Sequence, residues 1–110
     1  MAYRVDVARN AEAELEELYL WLVERAPQQG AAWFNGLERA VLALDQHPER
    51  CPVARESFDP DNQIRVLVYG RRPHAYRVFF TVDHQDEIVR IVHVRRGARR
   101  PPTAGELSGE

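Results

Sequence analysis

Arginine is the residue type in this chain that could do chemistry. Between Ile64 and Arg100 the sequence contains nine arginines against three acids, a local charge of +6 in a chain whose net charge is -2. A guanidinium keeps its charge at any accessible pH and grips phosphate or carboxylate through two hydrogen bonds, but it serves poorly as a general base. The pattern therefore predicts a positive surface for an anionic partner: RNA, DNA or an acidic protein segment.

The other reactive side chains do not form a catalytic set or a metal site. His93 lies in an alternating strand pattern and is interpreted as a structural histidine. His47, His74 and His84 fall at a helix end or in turns, without a second ligand at metal spacing. Cys51 is the single cysteine, which excludes an intrachain disulfide and fits a reducing cytosol. No metal and no cofactor is expected.

Length and charge limit the class of protein. A chain of 110 residues with an ordinary apolar fraction is expected to form one soluble domain. Residues 1–50 hold nine acids and five arginines, a local charge of -4, so the molecule is dipolar. The N-terminus does not resemble a signal peptide and no apolar run is long enough to cross a bilayer, so a cytoplasmic location is expected.

Periodicity predicts one strand and two helices in the first half. Alternation over residues 2–8 indicates a half-buried strand. A first helix is expected from an N-cap at Asn10 to about Arg25, broken by Pro27, and a second over 28–46. The predicted core takes one apolar stripe from each helix and two strand residues: Leu15, Leu18, Leu22, Leu37, Val41, Leu44, Tyr76 and Val78.

The second half reads as a loop followed by three hairpin-linked strands. The loop is 48–63, and the strands are 64–70, 75–83 and 87–96. We expect an α+β domain of order β-α-α-β-β-β over residues 1–97, with a helical hairpin packed on an antiparallel sheet. Residues 98–110 are polar and rich in Gly and Pro, which is typical of a flexible tail.

Three apolar residues do not fit the helical stripes: Leu20, Trp21 and Leu42. Two interpretations remain open: Trp21 lies at the edge of the core, or these residues form a patch that binds a partner.

This element order resembles the toxins of the RelE/ParE superfamily, the small proteins of type II toxin–antitoxin modules often described as plasmid stabilisation proteins. The resemblance rests on three segments: Tyr76-Arg-Val-Phe-Phe80, Val92-His-Val-Arg-Arg-Gly-Ala-Arg-Arg-Pro101 and Leu44 through Pro48. It covers roughly residues 3–100. It implies either cleavage of messenger RNA in the ribosome, as in RelE-like members, or poisoning of DNA gyrase, as in ParE-like members.

The residues after the last strand, where RelE-like nucleases carry their acid/base group, favour the ParE-like branch. Cleaving RNA requires a proton acceptor, a group that stabilises the phosphorane and a proton donor for the leaving oxygen. Arg77 resembles the phosphate-stabilising arginine of the nucleases, although pairing with an acid remains open for it; Arg95 and Arg96 resemble a second basic element. The nucleases carry a Tyr, or a His-Tyr pair, after the last strand, whereas Gly97–Thr103 has neither here.

We therefore expect a ParE-like toxin that is not an enzyme, inhibits a DNA-processing enzyme and is neutralised by a cognate antitoxin. The alternatives are a ribosome-dependent endoribonuclease using Arg77, Arg95 and Arg96, and a non-toxic remnant that acts in antitoxin and operator regulation. Operator DNA would be reached only through the antitoxin. The antitoxin-binding residues are expected to be Leu20, Trp21 and Leu42. The target-binding residues are expected to be Arg71, Arg72, Arg77, Arg95, Arg96, Arg99 and Arg100.

Overall fold

Four strands and two α-helices form the part of the chain that the computed structural model describes, residues 2–71 and 75–97. The strands are Arg4–Val7 (β1), Arg65–Tyr69 (β2), Tyr76–Asp83 (β3) and Ile88–Arg96 (β4); the helices are Arg9–Arg25 (α1) and Pro27–Leu42 (α2). Two short 3-10 helices, Ala43–Asp45 and Pro48–Arg50, follow α2. The predicted β-α-α-β-β-β order and α+β class are confirmed.

The helix boundaries differ from the prediction at three places. The N-cap of α1 is Ala8 and makes no side-chain cap hydrogen bond, so the prediction of Asn10 as the cap is wrong. Pro27 occupies the first position of α2, where its missing N–H costs nothing. The helix ends at Leu42, because the turn predicted to continue to Gln46 tightens into a 3-10 helix.

A single residue, Ala26, separates the two helices, which form the predicted hairpin. Its N–H donates to the Leu22 carbonyl at 2.9 Å, and the Gly30 N–H donates back to the Ala26 carbonyl at 2.6 Å. A Cβ at Gly30 would lie 2.5 Å from the Leu22 carbonyl oxygen. Glycine is therefore required where the two backbones meet.

The sheet has the order β1-β4-β3-β2 and is mixed. β2 pairs with β3 and β3 with β4 in antiparallel fashion, as the short connections predicted. β1 pairs with β4 in parallel fashion, so the prediction of a wholly antiparallel sheet is wrong. Alternation along β1 identified a strand. Whether β1 runs parallel or antiparallel to its neighbour depends on where the chain leaves the helical hairpin, and no local sequence pattern encodes that position.

The main core lies between the helices and one face of the sheet. Five of the eight predicted core residues are buried there: Leu18, Leu37, Val41, Leu44 and Val78. The other three, Leu15, Leu22 and Tyr76, are half-buried and pack against the same cluster. None of the helices in the described ranges has the length and apolarity needed to span a membrane.

The opposite face of the sheet, called the outer face below, carries a smaller cluster. Phe79 is buried there against Ala54 and Val66, while its neighbours Val78 and Phe80 point into the main core. The register places Phe79 opposite His93 and Phe80 opposite Ile91, so Val92 is an extra residue in β4, a β-bulge. The bulge reverses which side chains of β4 face outward, which decides the geometry of the site.

Candidate functional site

The arginine pair at the centre of the candidate site is created by the β-bulge. Alternation continued from Val89 and Ile91, both in the main core, would turn Arg95 toward the helices. Because Val92 is inserted, Arg95 instead lies directly opposite Arg77, and cross-strand partners share a face of the sheet. Two predicted site residues therefore meet on the outer face. Like charges in this position repel, so each arginine requires a counter-ion.

Arg77 finds its counter-ion in Glu56. The two guanidinium nitrogens Nη1 and Nη2 donate to Oε2 and Oε1 of Glu56 at 2.6 and 2.9 Å. The Glu56 side chain is only 4% exposed and that of Arg77 16%. The Arg77 guanidinium also lies 4.8 Å from the centre of the Phe79 ring. Of the two roles that the sequence left open for Arg77, the structure shows the ion pair, and the partner is one that sequence reasoning missed.

The loop before β2 fixes the position of Glu56. Ala54 donates its N–H to the Ile64 carbonyl at 2.7 Å, and the hydroxyl of Ser57 accepts the Ile64 N–H at 3.0 Å. Burial alone would raise the pKa of the Glu56 carboxyl. Hydrogen bonds from Arg77 and from the backbone, with the nearby positive charges, outweigh burial and lower that pKa below its usual value. Glu56 is therefore held as a carboxylate.

Arg95 finds its counter-ion in Glu14, which reaches the sheet from α1. Oε2 of Glu14 accepts a hydrogen bond from Nη1 of Arg95, and Oε1 accepts the backbone N–H of Val94 at 2.9 Å. One turn earlier, Asn10 donates its side-chain amide to the Val92 carbonyl at 2.7 Å. These two side chains of α1 satisfy the edge of β4 beyond the point where β1 ends.

His93 lies between these groups and is almost fully buried, with 3% of its side chain exposed. Its Nδ1 is 3.2 Å from Oε2 of Glu14, an arrangement that favours the proton on Nδ1. Within the described residues, Nε2 is buried without a hydrogen-bond partner. The geometry agrees with the prediction of a structural histidine, although only one ring nitrogen is satisfied.

Tyr76 is the tyrosine next to Arg77, but it does not supply the missing acid/base group. Its ring points to the helical side of the sheet, 5.4 Å from the ring of Trp33. Burial raises the pKa of its hydroxyl, and the charge of Arg96 only partly opposes this effect. The phenol therefore stays protonated and on the wrong face of the sheet to accept a proton beside Arg77 and Arg95.

The remaining predicted target-binding arginines divide into two groups. Arg71 follows β2 and Arg96 ends β4, and both are exposed. The N–H of Gly97 donates to the Ala75 carbonyl at 2.6 Å, which holds the end of β4 beside the start of β3. Arg72, Arg99 and Arg100 lie outside the described residues.

A protein-family model for the ParE toxin of type II toxin–antitoxin systems matches residues 5–101, nearly the whole chain. The chain belongs to this family. Among curated proteins, toxin RelE1 of Caulobacter vibrioides is 30% identical over an alignment of 93 residues that covers 77% of this chain and all of the relative. The protein is therefore a type II toxin of the RelE/ParE superfamily.

Two solved structures show the same fold as this ParE-family chain. The chromosomal ParDE system of P. aeruginosa superimposes with a TM-score of 0.66 at 22% identity, over 86% of this chain and 96% of that one. A double mutant of the E. coli toxin RelE in the free state superimposes with a TM-score of 0.57 at 20% identity, over 100% and 94%. At these identities the likeness extends to the fold and not to the site.

The predicted antitoxin-binding residues of the toxin are exposed but do not form one patch. Leu20 is 55% exposed, Trp21 36% and Leu42 61%. Leu20 and Trp21 lie near the turn of the hairpin, where Arg25 stacks 4.1 Å from the centre of the Trp21 ring. Leu42 ends α2, about ten residues further along the hairpin, which corresponds to roughly 15 Å at 1.5 Å per residue.

A second titratable cluster, which sequence reasoning missed, joins Tyr3, Glu49 and His84. The Tyr3 hydroxyl lies 3.0 Å from Nδ1 of His84 and 3.3 Å from Oε1 of Glu49. Burial and then the charge of Glu49 raise the pKa of Tyr3. Over residues 2–71 and 75–97, no group of three or more His, Cys, Asp or Glu side chains is arranged to hold a metal ion. The cluster ties β1 to the β3–β4 turn.

Proposed function

We propose that this toxin is of the ParE-like kind: a non-catalytic, cytoplasmic inhibitor of a DNA-processing enzyme, DNA gyrase by family resemblance, that a cognate antitoxin neutralises. The observation that carries the proposal is the buried ion pair between Arg77 and Glu56. Arg77 is the arginine that a RelE-like nuclease would need to stabilise the phosphorane, and the ion pair engages it with Glu56 instead.

The nuclease chemistry lacks its proton-transfer group as well as its phosphate ligand. Arg77 and Arg95 are both engaged by carboxylates, and a carboxylate beside the reacting phosphate would repel the charge that develops on it. His93 is buried against Glu14, and Gly97–Thr103 contains no Tyr or His. Binding to a target requires none of these groups, and the exposed Arg71 and Arg96 supply positive charge for it.

The related structures support a cognate antitoxin as the partner. The P. aeruginosa structure is of a ParDE system, and a RelE–RelB complex from Pyrococcus horikoshii shares the fold with a TM-score of 0.54. By analogy we propose an acidic antitoxin segment that folds on binding. It would lay an amphipathic helix on the hairpin at Leu20 and Trp21 and run an extended stretch toward the arginines. Operator DNA would be bound through the antitoxin.

A second candidate function is favoured by one comparison. The 30% identical relative from Caulobacter vibrioides is named toxin RelE1, and its match covers all of that relative. A ribosome-dependent endoribonuclease that uses Arg77, Arg95 and Arg96 is therefore the alternative to be tested.

Two assays on the purified chain separate these functions. Supercoiling of relaxed plasmid by DNA gyrase should be inhibited, and messenger RNA in a translating extract should stay intact. The controls are Arg77→Ala and Glu56→Ala, which remove opposite members of one ion pair. Codon-specific cuts that disappear in Arg77→Ala but persist in Glu56→Ala would replace the proposal with the nuclease. Uninhibited gyrase together with intact messenger RNA would reject both functions.

A further inference from the structure

On the outer face, Arg77 and Arg95 are each paired with a carboxylate of the chain itself. Arg77 and Arg95 lie opposite each other on neighbouring strands, about 5 Å apart at their backbones. Glu56 approaches from the loop on the β2 side and Glu14 from α1 on the other side. Arg55, which is mostly exposed, adds a third positive charge 3.9 Å from Oε2 of Glu56. The two carboxylates therefore offset most of the arginine charge at this point.

The carboxylates occupy the positions that a phosphate would take. A guanidinium binds carboxylate and phosphate in the same planar, two-point geometry. Glu56 uses both oxygens on Arg77, and Glu14 places one oxygen on Arg95. An external anion that binds these same guanidinium N–H groups must displace an internal carboxylate.

We propose that Glu56 and Glu14 are internal competitors that close a phosphodiester-binding site formed by Arg77 and Arg95. In the resting chain this face excludes the backbone of single-stranded nucleic acid. Removing a carboxylate, or drawing it away when a partner contacts α1 or the loop, opens the site. The inference goes beyond the proposed function, which draws on Arg71 and Arg96 for target binding, and it adds the groups that regulate Arg77 and Arg95.

The two halves of the site are not equally closed. The Arg95 side chain is 33% exposed and Glu14 18%, whereas Arg77 is 16% exposed and Glu56 4%. Glu14 also has a second attachment, the Val94 N–H, which holds it in place when Arg95 moves. Arg95 is therefore expected to exchange its carboxylate first, and the decisive variant is at Glu14.

Glu14→Gln tests the proposal with little change in shape. The amide oxygen of glutamine can still accept the Val94 N–H, but glutamine no longer neutralises Arg95. The probe is a fluorescein-labelled single-stranded 12-mer, used once as RNA and once as DNA, with affinity measured by anisotropy over a series of salt concentrations. Glu14→Gln should bind about tenfold more tightly than the wild type, as one added charge-assisted contact implies. The dependence of log K on log salt should steepen by about 0.7 for one additional phosphate contact.

Matched controls separate local release from a change in total charge. Glu17→Gln removes the same charge from an exposed position of the same helix and should change affinity by no more than about twofold. Adding Arg95→Gln to Glu14→Gln should cancel the gain. Equal tightening by Glu17→Gln, or no tightening of either RNA or DNA by Glu14→Gln, would overturn the proposal.

A second variant keeps the proposal testable if Glu14→Gln does not fold. Circular dichroism establishes whether Glu14→Gln is folded; if it is not, Glu56→Gln applies the same test to Arg77, with Glu17→Gln again as control. Binding of the 12-mer is measured apart from gyrase inhibition and messenger RNA cleavage. The two proposals can therefore fail separately. Glu14→Gln can bind the 12-mer more tightly even if the chain leaves gyrase active, and it can bind no more tightly even if the chain inhibits gyrase.

Discussion

The Glu14 carboxylate accepts the backbone N–H of Val94 at 2.9 Å, so a helical side chain completes the hydrogen bonding of a strand. The parallel strand β1 ends at Val7, opposite Ile91, and the Ala8 N–H makes the last backbone contact to the Ile91 carbonyl at 2.9 Å. Beyond it, Asn10 and Glu14 reach the Val92 carbonyl and the Val94 N–H. The helix thereby covers an edge that would otherwise be open to another chain.

We expect Glu14→Ala to destabilise the fold by about 1–3 kcal/mol, because it leaves the Val94 N–H and the Arg95 charge without their acceptor. Urea unfolding followed by tryptophan fluorescence measures the change. Glu17→Ala, exposed on the same helix, should stay within about 0.5 kcal/mol of the wild type. Equal losses in the two variants would show that the contact to Val94 contributes nothing to stability.

The buried pair of Arg77 and Glu56 should behave as a unit. Arg77→Ala leaves the Glu56 carboxylate buried without its partner and should cost about 3–5 kcal/mol. The double variant Arg77→Met with Glu56→Leu removes both charges and should recover most of that loss, because paired apolar replacements avoid the desolvation of two ions. The same urea titration applies. A double variant as unstable as Arg77→Ala would place the loss in packing on Phe79 instead.

Acid should weaken the wild type through Glu56. The pKa of Glu56 in the fold lies below the ordinary value of 4.5, so the contribution of Glu56 to stability is fully present above that value. The contribution is lost as pH falls through the lowered pKa, because the unfolded chain then binds the proton more readily. The stability difference between wild type and Glu56→Gln, measured by urea unfolding from neutral pH downward, should therefore shrink below about pH 4.5. A difference that stays constant through this range would contradict the role of Glu56.

Local periodicity was sufficient to predict the hairpin and the strands. Leu18 and Leu44 are buried as expected because their stripes depend on neighbours three and four positions away. Alternation failed in β4, where the inserted Val92 joins the outer cluster while Val94 returns to the main core. One bulge therefore changed the face on which Arg95 lies.

The charged contacts of the site could not be predicted, because they join residues far apart in sequence. In the sequence, Glu14 is one of several acids in the predicted first helix, and Glu56 lies in the predicted loop 48–63. Their partners are about 80 and 21 positions away. Asn10 fits the pattern of a helix cap, yet its side-chain amide donates to the Val92 carbonyl of β4. Residue type predicted the chemistry, but only the tertiary structure determines which acid meets which arginine.

The last prediction concerns the antitoxin and rests on the proposed function. Exposed aromatic residues dominate most interfaces, whereas charges at the rim mainly affect association rate. Trp21→Ala should therefore weaken the complex by about 2 kcal/mol or more, far more than Arg99→Ala. Raising salt should slow association more than it speeds dissociation, which surface plasmon resonance with the purified antitoxin can measure.

Leu42 provides the internal control for that surface. It lies roughly 15 Å along the hairpin from Leu20 and Trp21, beyond the distance at which side chains usually couple. If one antitoxin helix covers both ends, Leu42→Ala should weaken binding on its own, and its effect should add to that of Trp21→Ala within about 0.5 kcal/mol. A loss in Trp21→Ala alone would confine the antitoxin to the turn of the hairpin. An affinity unchanged by either variant would place the antitoxin on another face. Truncating an apolar side chain that a partner buries always weakens the complex.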